Sequence, residues 1–359
     1  MRMEQSNAWS VRSAARAGVC LLLVLGIVAG FQILEQPAAG QQPPPQGPLF
    51  RVEVDLVLLN VAVTDRRGRY VEGLKPTDFR ILEDGIDQKI GTFAEGNEAP
   101  QRVTATGEMV AETPSPSSGA GPVAGRLERP ETSPLGQESL VGTNVFILFD
   151  TSNFMYRSFV YAEDAIADFI RELDAADSVA VYGYSRNLTR HAKLTTDRWD
   201  AIRGLRLSVA GDETALYNSL LLTLRDAAQV PGRKVIIVFS NGPDSASAVA
   251  PDDVRAVAED EGIPIYVIST KEVNKDPISS NVFRRLTGRT GGKAFFAKSW
   301  QKQSEAFSSI REELGSSYTL TYYPQPNPNQ GWRNISVELV GENLKRYRIR
   351  TRSGYRPKL

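Results

Sequence analysis

From residue 142 onward, short runs that are almost solidly apolar alternate with longer amphipathic ones. The apolar runs are TNVFILFD, SVAVYGYS, KVIIVFSNG, IPIYVIST and KAFFA. Between them lie YAEDAIADFIRELDAAD, DRWDAIRGL, ETALYNSLLLTLRDAAQ, PDDVRAVAEDEG, NVFRRLTGRTGG and SWQKQSEAFSSIREEL, whose apolar residues recur at helical spacing. Strands without polar alternation are buried on both faces, so residues 142–314 are expected to form an α/β domain with a doubly wound, mostly parallel sheet. Its crossovers should be right-handed.

The flanks follow a two-residue period. In FRVEVDLVLLNVAVTD the apolar set occupies Phe50, Val52, Val54 and Leu56, then shifts to Val57, Leu59, Val61 and Val63. Such a shift of face calls for a bulge, or for a strand that passes from one sheet to another. DFRILEDG and QKIGTFAEG continue the β pattern in residues 50–96. SYTLTYYP, RNISVELV and RYRIRTRSGY restore it in residues 315–359. Neither flank alone has enough strands to be stable. One β-sandwich assembled from both, with the α/β domain inserted into it, is the economical arrangement; two small sheets are the alternative. Residues 97–141 are rich in Pro, Ser, Thr, Gly and Ala and are expected to be a flexible linker.

Arg2, Arg12 and Arg16 precede the apolar run AGVCLLLVLGIVAGF, and small residues follow at Ala38 and Gly40. Residues 1–40 therefore read as a secretory signal peptide, cut after Gly40, with 41–49 as a Pro/Gln-rich spacer and no membrane span in the mature chain. The rival is an uncleaved anchor. The expected location is the periplasm, the cell envelope or the exterior. The one cysteine, Cys20, falls inside the signal, so stability must come from burial and not from disulfides. With 42 basic and 42 acidic residues, no net field argues for nucleic acid or a membrane surface.

Ligands of an open α/β sheet bind beyond the carboxyl ends of its strands. Three loops are candidates here: Asp150-Thr151-Ser152, Gly211-Asp212-Glu213-Thr214, and Ser240-Asn241-Gly242-Pro243-Asp244. Their carboxylates, hydroxyls and amide are the oxygen donors a hard cation prefers.

On these loops and the flanking β segments, the chain resembles the von Willebrand factor type A family, in particular its secreted acidobacterial VWFA-related members. The resemblance spans nearly all of residues 50–356. It implies a protein-binding module with a metal-ion-dependent adhesion site of the form Asp-x-Ser-x-Ser, a Thr, and a second Asp. Asp150, Ser152 and Thr214 match it, while Phe154 and Asn241 stand where the second serine and second acid belong. The implied site is degenerate. Its formal charge drops from −2 to −1, so Mg²⁺ or another divalent cation would be bound weakly. Asp212, Glu213 and Asp244 could add charge, or could serve as helix N-terminal acids.

The function this predicts is non-enzymatic: adhesion to, or interaction with, a protein partner or cell-surface component, through a loop face that includes Phe154, Met155, Asp212, Glu213 and Asp244. An inert envelope scaffold and an unrecognised hydrolase are the other classes. The single histidine, His191, has no accompanying signature of nucleophile or metal site and is expected at an exposed strand position. Arg346, Arg348, Arg350 and Arg352 share one strand face; an anionic-polymer stripe or protection of a sheet edge would explain them. Nucleic acid is not an expected partner.

Overall fold

A computed structural model describes residues 56–110, 141–271 and 275–358. The expected signal and spacer, and most of the expected linker, lie outside them.

In the α/β part the parallel strands are β7 (Asn144–Asp150), β8 (Ser178–Tyr184), β10 (Lys234–Ser240), β11 (Ile265–Ser269) and β12 (Ala294–Phe296). An antiparallel strand, β9 (Leu188–Thr195), forms one edge. The order is β12-β11-β10-β7-β8-β9. From β7 the chain winds outward through β8 and β9, then returns to β10 and winds the other way, so the switch point falls between β7 and β10. Helices α1 (Phe159–Glu172), α2 (Arg198–Leu205) and α6 (Trp300–Ser316) cover one face. Helices α3 (Leu216–Ala228), α4 (Pro251–Asp260) and α5 (Pro277–Thr290) cover the other. Their ends are marked locally. Asp197 accepts from Trp199 N and Asp200 N to cap α2, Pro277 occupies the first turn of α5, and Gly291 ends α5 in the left-handed region at φ 87°. Odd residues of β7 (Val145, Ile147, Phe149) face one layer and even ones (Phe146, Leu148) the other, which is why its sequence carries no polar alternation.

The flanking strands form one two-layer structure. The first sheet runs β15-β1-β13-β4-β5-β6, with β1 Val57–Thr64, β4 Ile90–Glu95, β5 Gln101–Val103, β6 Met109–Val110, β13 Tyr318–Tyr322 and β15 Arg348–Arg350. The second runs β16-β14-β2-β3, with β2 Phe79–Glu83, β3 Ile86–Gln88, β14 Arg333–Leu339 and β16 Gly354–Tyr355. Each sheet mixes strands from both chain ends: β1 pairs with β13, and β2 with β14. Leu59, Val61, Phe93, Tyr318 and Leu320 meet Phe79, Ile81, Ile335 and Val337 between the layers. Fully burying each such side chain contributes about 1.5–3 kcal/mol.

Two expectations change. Residues 101–110, assigned to the linker, extend the first sheet as the β5–β6 hairpin. Thr92 and Phe93 pair with Arg102 and Gln101, and Gly107 (φ 84°) serves the turn. The pairing comes from the neighbouring strand and not from local apolar content, so composition could not show it. The arginine face of the tail is also split by the fold. Arg350 binds Glu313 and the Gly291 carbonyl, and Arg352 is buried, so neither is available to an anionic polymer or guards an edge.

The sandwich grips the amino ends of the parallel strands. Arg233, just before β10, donates to the Gly96 and Leu314 carbonyls, each at 2.9 Å, and to Ser317 Oγ. Glu313 of α6 accepts from Tyr70, Tyr266 and Arg350, joining the sheet to both flanks. The carboxyl ends of the strands are left clear.

Candidate functional site at the sheet switch point

Asp150 ends β7 and Ser240 ends β10, the two strands that flank the switch point. The Asp150 carboxylate is fully buried. Its Oδ1 accepts from Ser152 N at 2.9 Å, and its Oδ2 accepts from Ser240 Oγ at 3.1 Å and Asn241 N at 3.3 Å. Tyr184 at the end of β8 donates its hydroxyl to Ser240 Oγ at 3.1 Å, which continues the chain of hydrogen bonds across three strands.

The three loops converge. Gly211 N donates to Thr151 O at 2.8 Å and Asn153 N to Asp212 O at 3.2 Å. Asn241 Nδ2 donates to the Phe154 carbonyl, joining the first and third loops. Thr214 is buried; its amide meets Ser245 Oγ at 3.2 Å, and its carbonyl accepts from Ser245 N and Ala246 N.

Asp244 serves a helix. Its Oδ2 accepts from Tyr217 N at 3.0 Å in the first turn of α3, and from Ser247 Oγ at 2.7 Å. Glu213 pairs at the surface with Arg186. Phe154 does not fill the crevice; its ring turns outward, 45% exposed, with Lys271 Nζ 5.9 Å from its centroid. Met155, expected beside it on the loop face, is fully buried in the core under α1 and is closed to a partner. A 3₁₀ turn over Asn153–Ser158 sends successive side chains to different sides, which a linear motif does not reveal. His191 is half-buried on β9, stacked over Gly183.

Burial raises the Asp150 pKa above its ordinary value of 3.8, opposed by hydrogen bonds from Ser152, Asn241 and Ser240. Between 3.8 and the raised value the folded chain holds a proton that the unfolded chain has released, so stability falls as pH rises through that window. Asp150→Asn is expected to flatten this fall, measured as urea midpoints from pH 4 to pH 7. An unchanged slope would assign it to other buried acids.

A divalent ion, which the fold family implies, can be tested against these oxygens. Ser152 Oγ and Asn241 Oδ1 are buried without a hydrogen-bond partner. They are the only unengaged donors of the set, because both Asp150 oxygens and Thr214 Oγ1 already have partners. Mg²⁺ requires near-octahedral oxygen coordination and sheds its waters reluctantly. Two neutral oxygens beside one engaged carboxylate do not fit a resident divalent ion.

Residues missed by the motif are Tyr156, Val160, Tyr161, Leu207 and Val209. They are 76%, 63%, 63%, 66% and 77% exposed respectively, on the segments that adjoin the Asp150 and Gly211 loops in the chain. Arg206, adjacent to Leu207, binds Glu163 and Asp164 of α1, which draws the two stretches together. The sequence signal was available: five large apolar residues at positions where the helical and strand patterns need none.

Residues 145–243 match the family model of the von Willebrand factor type A domain. A UPF0353 protein of Mycolicibacterium gilvum is 21% identical over 179 residues, covering 43% of this chain and 53% of that protein. The chain thus spans about half the length of the curated relatives it matches. Among solved structures, BatB of Bacteroides thetaiotaomicron is 18% identical with a TM-score of 0.41, covering 49% of this chain and 100% of BatB. The vWF domain of the type V pili tip protein Mfa5 from Porphyromonas gingivalis is 11% identical with a TM-score of 0.42, covering 48% of this chain and 95% of that domain. The switch-point sheet and the matched segment coincide: residues 145–243 carry a von Willebrand factor type A domain.

Proposed function

We propose that the chain is an exported, non-enzymatic interaction module that docks a protein or cell-surface component through the loop face at the carboxyl ends of its sheet, without a resident metal. The observation that supports this is the exposure of Phe154, Tyr156, Val160, Leu207 and Val209 on the segments that adjoin the Asp150 and Gly211 loops, which hydrogen bond to each other through Gly211 N and Thr151 O. Exposed large apolar residues beside a binding crevice are the kind of surface a partner covers. Aromatic residues at the centre of a patch are the usual anchors of an interface. The rim adds charge of both signs through Lys271, Arg186 and Glu213. The sandwich holds the domain from the opposite end and keeps this face open. Among the described residues, no helix is long and apolar enough to cross a membrane.

The test is capture from native cell-envelope extract by the whole chain. A Tyr156→Ser, Leu207→Ser double variant should lose capture at least tenfold while keeping the wild-type melting temperature. Capture and melting temperature should both be indifferent to Mg²⁺ and to EDTA. An ion at 100 times its dissociation constant would add about 2.7 kcal/mol of stability, so a clear rise in melting temperature with Mg²⁺ would overturn the metal-free reading. Undiminished capture by the double variant would favour the inert scaffold.

A further inference from the structure

At the other end of the α/β sheet, a cavity of about 280 Å³ opens between the start of β1 and the turn from α4 to β11. Its walls are of two kinds. Leu56, Leu58 and Tyr355 contribute apolar surface, and Lys234 and Arg352 contribute cations. Arg352 is only 7% exposed. Its Nη1 donates to the Glu259 carbonyl at 2.9 Å and its ring neighbour is Tyr355 at 5.3 Å, but its Nε is buried without a partner. Gly262 makes room for it: at φ 65° and without a side chain, it lets the guanidinium lie where a Cβ would stand 2.7 Å from Nη1. Lys234 is held by the Val230 carbonyl at 2.6 Å.

Neither cation has a carboxylate within ion-pair distance among the described residues. The two acids at the cavity mouth are already taken, Asp260 by Arg356 and Glu261 by Lys358. Burial pushes the pKa of both Arg352 and Lys234 down, the signature of charge removed from water without an anion in contact. Buried charges in folded proteins are otherwise paired. A guanidinium and a lysine ammonium lining one cavity are the donors an oxyanion recognises, and the guanidinium keeps an Nε without a partner.

We propose that this cavity binds an oxyanion, carboxylate or phosphate, borne on a small apolar body, with Arg352 and Lys234 holding the charge and Leu56, Leu58 and Tyr355 the body. The site is separate from the loop face and independent of what docks there.

The test is thermal melting of the whole chain titrated with inorganic phosphate, acetate and hexanoate, each against sodium chloride at equal ionic strength. At least one oxyanion should raise the melting temperature saturably. Tighter binding of hexanoate than acetate would mark the ligand as a carboxylate, and saturation by phosphate at lower concentration than either would mark it as a phosphate. Lys234→Met removes one surface-side hydrogen bond and should fold normally, yet weaken the dissociation constant at least tenfold. Arg352→Lys, which keeps the charge and loses the fork, should weaken it similarly. The proposal fails if chloride matches every oxyanion, or if Lys234→Met binds as tightly as the wild type.

Discussion

Replacing Arg333 with methionine should lower the stability of the folded chain by about 3–5 kcal/mol, the usual cost of stranding one member of a buried ion pair. Arg333 Nη1 lies 3.0 Å from Glu83 Oε1, and Glu83 is fully buried. The same carboxylate accepts from Tyr322 at 2.8 Å and from Tyr355 at 2.9 Å. Glu83 comes from β2, whereas its three partners come from β14, β13 and β16, so this cluster ties the amino-terminal segment to the carboxyl-terminal one. Without the guanidinium, the buried carboxylate keeps only neutral partners, the hydroxyls of Tyr322 and Tyr355 and the Asn327 amide at 3.5 Å. A melting temperature lower by roughly 10 °C is expected for a domain of this size. A Glu83→Gln, Arg333→Met double variant should recover part of it. A loss below about 1 kcal/mol would mean that the pair behaves as a surface salt bridge.

Arg233→Met should do something different: it should uncouple the sandwich from the α/β domain. Arg233 is buried and reaches Gly96, Leu314 and Ser317, the ends of β4 and α6 and the entry to β13. Methionine fills much of the volume but strands two carbonyls and a hydroxyl, each worth about 1–3 kcal/mol when left buried and unpaired. Relief of the guanidinium's own desolvation offsets part of that, since burial already depresses its pKa. A net loss of about 2–4 kcal/mol, located at the junction, should split calorimetric unfolding into two transitions. A single transition at the wild-type temperature would show that the remaining tethers, chiefly Glu313 with Tyr70, Tyr266 and Arg350, suffice.

The two parts of the fold were legible to different depths. The alternation of apolar runs with amphipathic stretches identifies the α/β layers because hydrophobic period is a local property, and β7 and β10 are buried on both faces beyond their first residues. The β5–β6 hairpin was not legible, since Gln101 and Arg102 are strand residues only because β4 offers them an edge. At the site, Asp150, Thr214 and Asn241 could be named from loop position and resemblance. What each side chain does could not. Residue type left Asp244 open between added charge at the site and a helix N-terminal acid, and the packing selects the second, with Tyr217 N of α3 donating to it.

Met155 looked like surface and is core. In a 3₁₀ turn, neighbours one residue apart face different directions, and only the packing beneath decides which one goes inward.

The sequence by itself determined the layer order, the carboxyl-end location of the candidate site and the loss of one charge from its implied donor set, because each follows from residue type and spacing along the chain. Only the tertiary structure decided which oxygens remain unengaged, which apolar residues next to the loops stand exposed, and that Arg352 and Lys234 share a cavity without a carboxylate in contact. Those outcomes depend on groups distant in sequence, such as Arg352 and Gly262, and hydrogen bonding and desolvation act between neighbours in space.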